Sequence, residues 1–234
     1  MPYKFDLYLY EEIMLLALRD KEGTTELGSM YPYALGGALL AELLLSKAIG
    51  IDPADKKKLV NALSSKQPQD ALLAECLQKI KTAKRRASMQ TWVSRLANIK
   101  ELKHRIATQL VRRGILRADE DKVLLIFTRK IYPEVDPTPE REVIERLQQA
   151  IFTNTTDVDP RTIILLSLAK SAGLLNYSFD KKKLKQQKER MEKLINGEVT
   201  GAATKEAIEA VQAAIMVAAI MPAIISTTTV TTSS

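Results

Sequence analysis

One cysteine (Cys76), one histidine (His104) and one tryptophan (Trp92) are present in 234 residues, and each scarcity closes off a class of function. A single thiol cannot form an intrachain disulfide and fits a reducing compartment. A lone imidazole and a lone thiol at helical core spacing assemble neither a Cys–His pair nor a metal cluster, so no catalytic residue, metal or cofactor is expected, and Cys76 reads as core packing. The phosphate-cradling patterns GxGxxG and GxxxxGK[ST] are absent. The reading is therefore of a protein that binds rather than catalyses. Nine glycines and nine prolines leave little room for low-complexity linkers. Disorder is expected only in an N-terminal tail, residues 1–6, and a C-terminal tail, residues 226–234, around one domain spanning residues 7–225. Met1 to Asp6 lacks a basic region followed by a small-residue cleavage site, so no signal peptide is expected. The most apolar stretch, Val211 to Ile225, is broken by Gln212 and Pro222 and falls short of the roughly 20 residues a bilayer span needs, so it reads as a buried helix.

What the chain does have is positive charge. Lysine and arginine total 35 against 28 acids, a net charge of +7 that favours a polyanionic partner, nucleic acid or an anionic membrane face. Basic clusters stand at Lys56-Lys57-Lys58, Lys84-Arg85-Arg86, Arg112-Arg113 and Lys181-Lys182-Lys183. Taken singly, each is an ordinary solvated face.

Hydrophobic periodicity predicts a mostly helical, all-α fold. Leu9 to Leu18 carries an apolar stripe with Glu11, Glu12 and Arg19 turned to solvent, and Tyr33 to Ile49 is apolar almost all round, which predicts a central helix. Gly36-Gly37 within it costs about 1 kcal/mol per residue of helix propensity, so close packing or close ligand approach must compensate. Asp70, Ser88, Thr138, Asp159 and Asp180 read as N-caps, and Gly114 as a left-handed helix end. Further helices are predicted to about Lys81, over Trp92 to Leu96, from about Ile99 to Arg113, over 139–152 and 160–172, to Ile195, and from Thr204 to Met221. One protruding β-hairpin is expected at about 115–131, with Ile115-Leu116 and Val123 to Ile131 as strands.

The constellation with a possible binding role is Lys100-Glu101-Leu102-Lys103-His104-Arg105. On a helix, Lys100 and Lys103 lie three residues apart on one face and both reach a single phosphate; the bland reading is a solvated face. His104 adds charge near neutral pH.

Several segments in order carry a resemblance. Tyr10 to Leu18, Asp20-Lys21-Glu22-Gly23, Leu35 to Leu43 with its Gly36-Gly37, Gln90-Thr91-Trp92-Val93, Leu110 to Leu116 and Val123 to Phe127 together resemble the Golgi phosphoprotein 3 family over roughly Leu7 to Met221. The resemblance implies a helical bundle with one protruding hairpin and a shallow basic pocket for phosphatidylinositol 4-phosphate. It also implies a peripheral membrane adaptor on the cytosolic face of the Golgi, gripping the cytosolic tails of membrane enzymes if the source is eukaryotic. That family's pocket tryptophan falls near Leu27 or Gly28, with Tyr31 and Tyr33 nearby; its first arginine falls at Gly36, and its paired arginines at Lys100 and Lys103. The headgroup set implied here is Lys100, Lys103, His104, Arg105 and Gly36. The departures fit a divergent or prokaryotic member. Lysine keeps the charge without the planar fork of arginine, which weakens selectivity among phosphoinositides. By the same resemblance, Val123, Leu124, Leu125, Ile126 and Phe127 form a hairpin contact with membrane or with a second copy in a homo-oligomer. A helix ending at Arg112-Arg113 before a basic hairpin with Arg129 and Lys130 also looks like a winged helix-turn-helix, the competing nucleic-acid reading.

Overall fold

The innermost helix is α1 (Leu9–Ala17), every residue of which is buried. In the computed structural model, which describes residues 6–19, 23–25, 30–51, 59–63, 67–123 and 127–197, two more helices share that core. They are α2 (Tyr31–Leu45), buried from Ala34 to Leu44, and α7 (Pro160–Ser171), buried from Thr162 to Ala169. Around them lie α3 (Ala71–Lys81), α4 (Met89–Ala97), α5 (Leu102–Arg112), α6 (Thr138–Phe152), α8 (Leu175–Ser178), α9 (Lys181–Gln186) and α10 (Lys188–Ile195). The outer helices α3 to α6 and α10 are amphipathic, burying one stripe each, whereas α2 and α7 carry almost no moment because neighbours cover them all round. The fold is mostly α, as the periodicity predicts.

Side-chain caps form where Asp70, Ser88, Asp159 and Asp180 accept from the backbone N–H three residues on, at 2.8, 3.3, 3.1 and 2.9 Å. Thr138 departs from expectation. It is the first helical residue, and Asp136 accepts its N–H at 3.0 Å. Helix α2 ends four residues early, because Lys47 adopts a left-handed conformation (φ 54) just beyond it. The following Ile49-Gly50-Ile51 then enters a strand. The helix expected to run to Ile195 breaks at Gln187.

Three two-stranded antiparallel sheets occur among the described residues, where one hairpin was expected. The pairs are β1 (Leu18–Arg19) with β2 (Thr24–Thr25), β3 (Ile49–Ile51) with β4 (Val60–Ala62), and β5 (Asp119–Val123) with β6 (Phe127–Ile131). The first two are two or three residues long, below what periodicity detects. In the third, the charged run Asp119 to Lys122 is a strand rather than a turn, and pairing ends at Val123 opposite Phe127. The helix expected from Thr204 to Met221, the stretch Val211 to Ile225 and the tail from Ser226 lie outside the described residues, as do Lys56-Lys57-Lys58 and Leu124 to Ile126. No helix among the described residues is long and apolar enough to cross a membrane.

The largest correction concerns Glu11 and Glu12. They do not face solvent: they are 2% and 4% exposed, and Glu42 of α2 is 6% exposed. Each meets an arginine from a different part of the chain. Arg113 donates to Glu11 at 2.8 Å, Arg146 of α6 donates to Glu12, and Arg161 of α7 donates to Glu42 at 2.7 Å. Glu42 also accepts the Leu9 N–H at 2.7 Å, and Glu11 the Tyr8 N–H at 2.9 Å. The open N–H groups of the first turn of α1 are thus satisfied inside the protein.

Burial pushes the Glu12 carboxyl up to about 6, the arginines at 146 and 161 opposing it. A carboxyl raised in the folded state from 4.5 adds stability below pH 4.5 and loses it as the pH rises through about 6. Across that window, the stability of the wild type relative to Glu12→Gln should fall by roughly 2 kcal/mol, measured by urea unfolding at each pH. A difference that stays flat with pH would show that Glu12 titrates normally. Arg161→Ala strands the buried Glu42 and should cost about 3 kcal/mol, the lower end of the range for a broken buried pair because Arg161 is itself partly exposed.

Candidate functional site: a basic cavity between helix α5 and the hairpin

Leu102, Ile106 and Leu110 are buried along one face of α5 and seat it on α1. That leaves His104, Arg105, Thr108 and Arg112 on its other faces. The hairpin returns beside them. Gly23, at φ +58, accepts the Tyr132 N–H at 2.9 Å, and a Cβ at Gly23 would stand 2.3 Å from the Pro133 nitrogen. This close approach needs glycine, and it fixes the point where β6 rejoins the body.

Between these elements and the first turn of α3 opens a cavity of about 280 Å³ lined by His104, Arg105, Thr108, Arg112, Lys130 and Tyr132. Its His104 Nδ1 lies 3.0 Å from the Tyr132 hydroxyl. Burial and the nearby Lys103 and Lys130 hold the imidazole below its usual pKa, Glu101 alone opposing them. Neutral His104 therefore predominates at neutral pH. Glu101 stands at the cavity edge in the left-handed region (φ 57), a conformation that costs a non-glycine residue about 1 kcal/mol. Gln109 donates to Asp70 at 2.7 Å, while its buried Oε1 has no partner in the structure.

The expected headgroup residues separate in space. Lys100 is exposed and precedes α5, whose first residue is Leu102, so the argument that it shares a helix face with Lys103 does not hold. Lys103 is half-buried against β2, with Nζ 3.4 Å from the Thr25 hydroxyl, and burial together with Arg129 lowers its pKa. His104 and Arg105 line the cavity, where Arg105 also binds Glu75 of α3 at 2.6 Å and holds that carboxyl below its usual range. Gly36 lies elsewhere. It is buried where α2 crosses α4, and a Cβ there would stand 2.5 Å from the Val93 carbonyl and 2.8 Å from the Ala97 nitrogen. The alternative of close helix packing accounts for this glycine.

Of the six cavity residues named above, those that sequence reasoning did not assign to a site are Thr108, Arg112, Lys130 and Tyr132. The two cations were visible as members of basic clusters, but only the tertiary fold brings them together. They also contrast with the other arginines. Arg105, Arg113, Arg146 and Arg161 each hold a glutamate. Arg112 and Lys130 pair with no carboxylate among the described residues, and the one hydrogen-bond partner of Lys103 there is a hydroxyl.

Residues 9–211 match the family model described as Golgi phosphoprotein 3 (GPP34). The chain belongs to that family. It is also similar to vacuolar protein sorting-associated protein 74 of Eremothecium gossypii, with 27% identity over 202 residues. That match covers 72% of this chain and 60% of the relative, so the chain spans under two thirds of the relative's length. Gly36, expected from the resemblance to stand where the family has a pocket arginine, has no room for a side chain. The positions near Leu27 and Gly28 lie outside the described residues, and Tyr31 and Tyr33 are partly buried against the core.

Supplying a guanidinium at position 36 should therefore damage the fold before it sharpens recognition. Gly36→Ala should lower stability by about 1–3 kcal/mol through overpacking, or several degrees in melting temperature. Gly36→Arg should lower it further. Thermal denaturation of the two variants checks this, and a Gly36→Arg protein of wild-type stability would show that the α2–α4 crossing yields.

Proposed function

We propose that this chain is a non-enzymatic peripheral membrane adaptor of the trafficking kind, docking on a phosphatidylinositol 4-phosphate or otherwise anionic surface through α5 and the hairpin. The observation that carries this reading is the set of cations left without carboxylates. Arg112 and Lys130, with His104, line one cavity, and Lys103 lies beside it on the same helix, while the buried Glu–Arg pairs hold the core together. An anion completes such a site by supplying the missing negative charge. The cavity is of a size for a single phosphorylated headgroup rather than a long ligand. Family membership and the sorting-associated relative favour the same class.

In this proposal, the closing end of the ribbon, from Val123 to Phe127, offers an apolar contact to lipid or to a second copy. The adaptor would hold the cytosolic tails of membrane enzymes, on the cytosolic face of the Golgi in a eukaryote. Nucleic acid is the competing partner for a basic face beside a hairpin, and the same experiment decides against it or for it.

Sedimentation with vesicles containing phosphatidylinositol 4-phosphate, phosphatidylserine or neutral lipid alone, beside retention of duplex DNA at the same salt, tests the reading. Binding to the phosphorylated lipid should exceed binding to neutral vesicles and fall steeply with ionic strength. Arg112→Ala with Lys130→Ala should weaken it by about 1 kcal/mol per charge, or at least tenfold for the pair. Lys181→Ala with Lys182→Ala, outside this face, should do less. Vesicle affinity unchanged in the Arg112/Lys130 variant would remove the cavity from the reading, and DNA retention without vesicle binding would replace it.

A further inference from the structure

We propose that the cavity takes a phosphate monoester or similar dianion together with a proton on His104, so that anion and proton bind cooperatively at one site. This rests on the headgroup reading above and adds the protonation state in which the headgroup is held. The charged groups around the imidazole are few. Lys103, Arg105 and Arg112 come from α5, Lys130 from β6 and Glu101 from the turn before α5, while α3 contributes the uncharged Ala71 and Leu72. Arg105 is already neutralised by Glu75.

With no anion present, the field at the ring is cationic, and adding an imidazolium means crowding another positive charge against Lys103 and Lys130. A dianion in the same cavity reverses that field. Like-charge repulsion becomes a shared attraction, and the neutral ring takes up a proton. Tyr132 permits this without loss of a hydrogen bond. Its hydroxyl donates to Nδ1 of the neutral ring, which then carries its proton on Nε2, and by rotating accepts from Nδ1–H of the imidazolium. The His104–Tyr132 hydrogen bond is kept in both states, so it sets no barrier to the change. By thermodynamic reciprocity, any rise in the His104 pKa on binding equals the gain in anion affinity on protonation.

Because His104 is the only histidine of the chain, its ring resonances report the site without a mutation. The intact protein would be titrated by nuclear magnetic resonance alone, with inorganic sulfate, with dibutanoyl phosphatidylinositol 4-phosphate and with dibutanoyl phosphatidylserine. Sulfate remains a dianion throughout, whereas a phosphate monoester has its own ionisation near pH 6. The expected result is an upward move of the His104 midpoint by about one pH unit with the phosphoinositide and less with phosphatidylserine, equivalent to about tenfold tighter binding of the dianion to the protonated form. An equal move with sulfate would assign the site to a free anion, and a move with the lipid alone to a headgroup; both carry the proton coupling. Sulfate affinity in His104→Gln should lose its rise between about pH 8 and pH 5.5. A His104 midpoint that none of the three ligands moves at saturation would overturn the proposal, as would an undiminished pH dependence in His104→Gln. If phosphoinositide vesicles still bind in that event, the membrane reading stands and only the proton coupling fails. If they bind at no pH, the membrane reading fails as well.

Discussion

Three buried carboxylates, Glu11 and Glu12 on α1 and Glu42 on α2, set the arrangement of the helices around them. Each draws an arginine from a different place in the chain: Arg113 at the end of α5, Arg146 in α6 and Arg161 at the start of α7. A carboxylate this deep is tolerable only when paired and hydrogen-bonded. The pairs add little net stability over apolar packing, because desolvation offsets most of the attraction. Breaking one is costly, since the remaining charge stays buried. Helices α5, α6 and α7 are therefore each held at a defined point as well as by their apolar contacts. The backbone is drawn in too, as Arg113 reaches the Asp6 carbonyl at 2.9 Å and Arg161 the Leu7 carbonyl at 3.3 Å.

This pairing also sorts the positive charge. A net charge of +7 says nothing about which cations are available, and in the sequence Arg112 and Arg113 look equivalent. In the fold, Arg113 turns inward to Glu11 while Arg112 lines the cavity. Both sit at the C-terminal end of α5, where a cation is favoured by the helix dipole. Their different partners follow from where the end of α5 meets α1. The inward arginine fixes that end, and the outward one inherits its position.

Much of the fold was legible because its signals are local. The caps at Asp70, Ser88, Asp159 and Asp180, and the left-handed Gly114, are decided by a few neighbouring residues, and they stand where the residue types put them. The failures share a different cause. Glu11 and Glu12 look like a solvent face because their partners lie more than a hundred residues away. Lys47 ends a helix in the left-handed conformation without the glycine that would signal it, and so the strand at Ile49 was missed. Of the expected site, His104 and Arg105 reach the cavity, whereas Lys100 and Gly36 do not. A spacing argument presumes a continuous helix, and Glu101 breaks it two residues after Ile99. A glycine in a helix signals close approach without saying to what; at Gly36 the neighbour is the Val93 carbonyl.

The same distinction bears on how specific the site is. Arg105 has a planar guanidinium but gives it to Glu75, so the bidentate geometry that best reads a phosphate is partly committed. Arg112 keeps its fork free of a carboxylate, and Lys103 and Lys130 supply point charges without directional preference. Discrimination then falls to the neutral groups. The Thr108 hydroxyl donates to the His104 carbonyl at 2.7 Å, and the Tyr132 hydroxyl is engaged with His104 Nδ1 at 3.0 Å, so both already have a partner within the protein. In the proposed docking, the cavity therefore attracts an anion through Arg112 and Lys130 more than it selects among anions of the same charge.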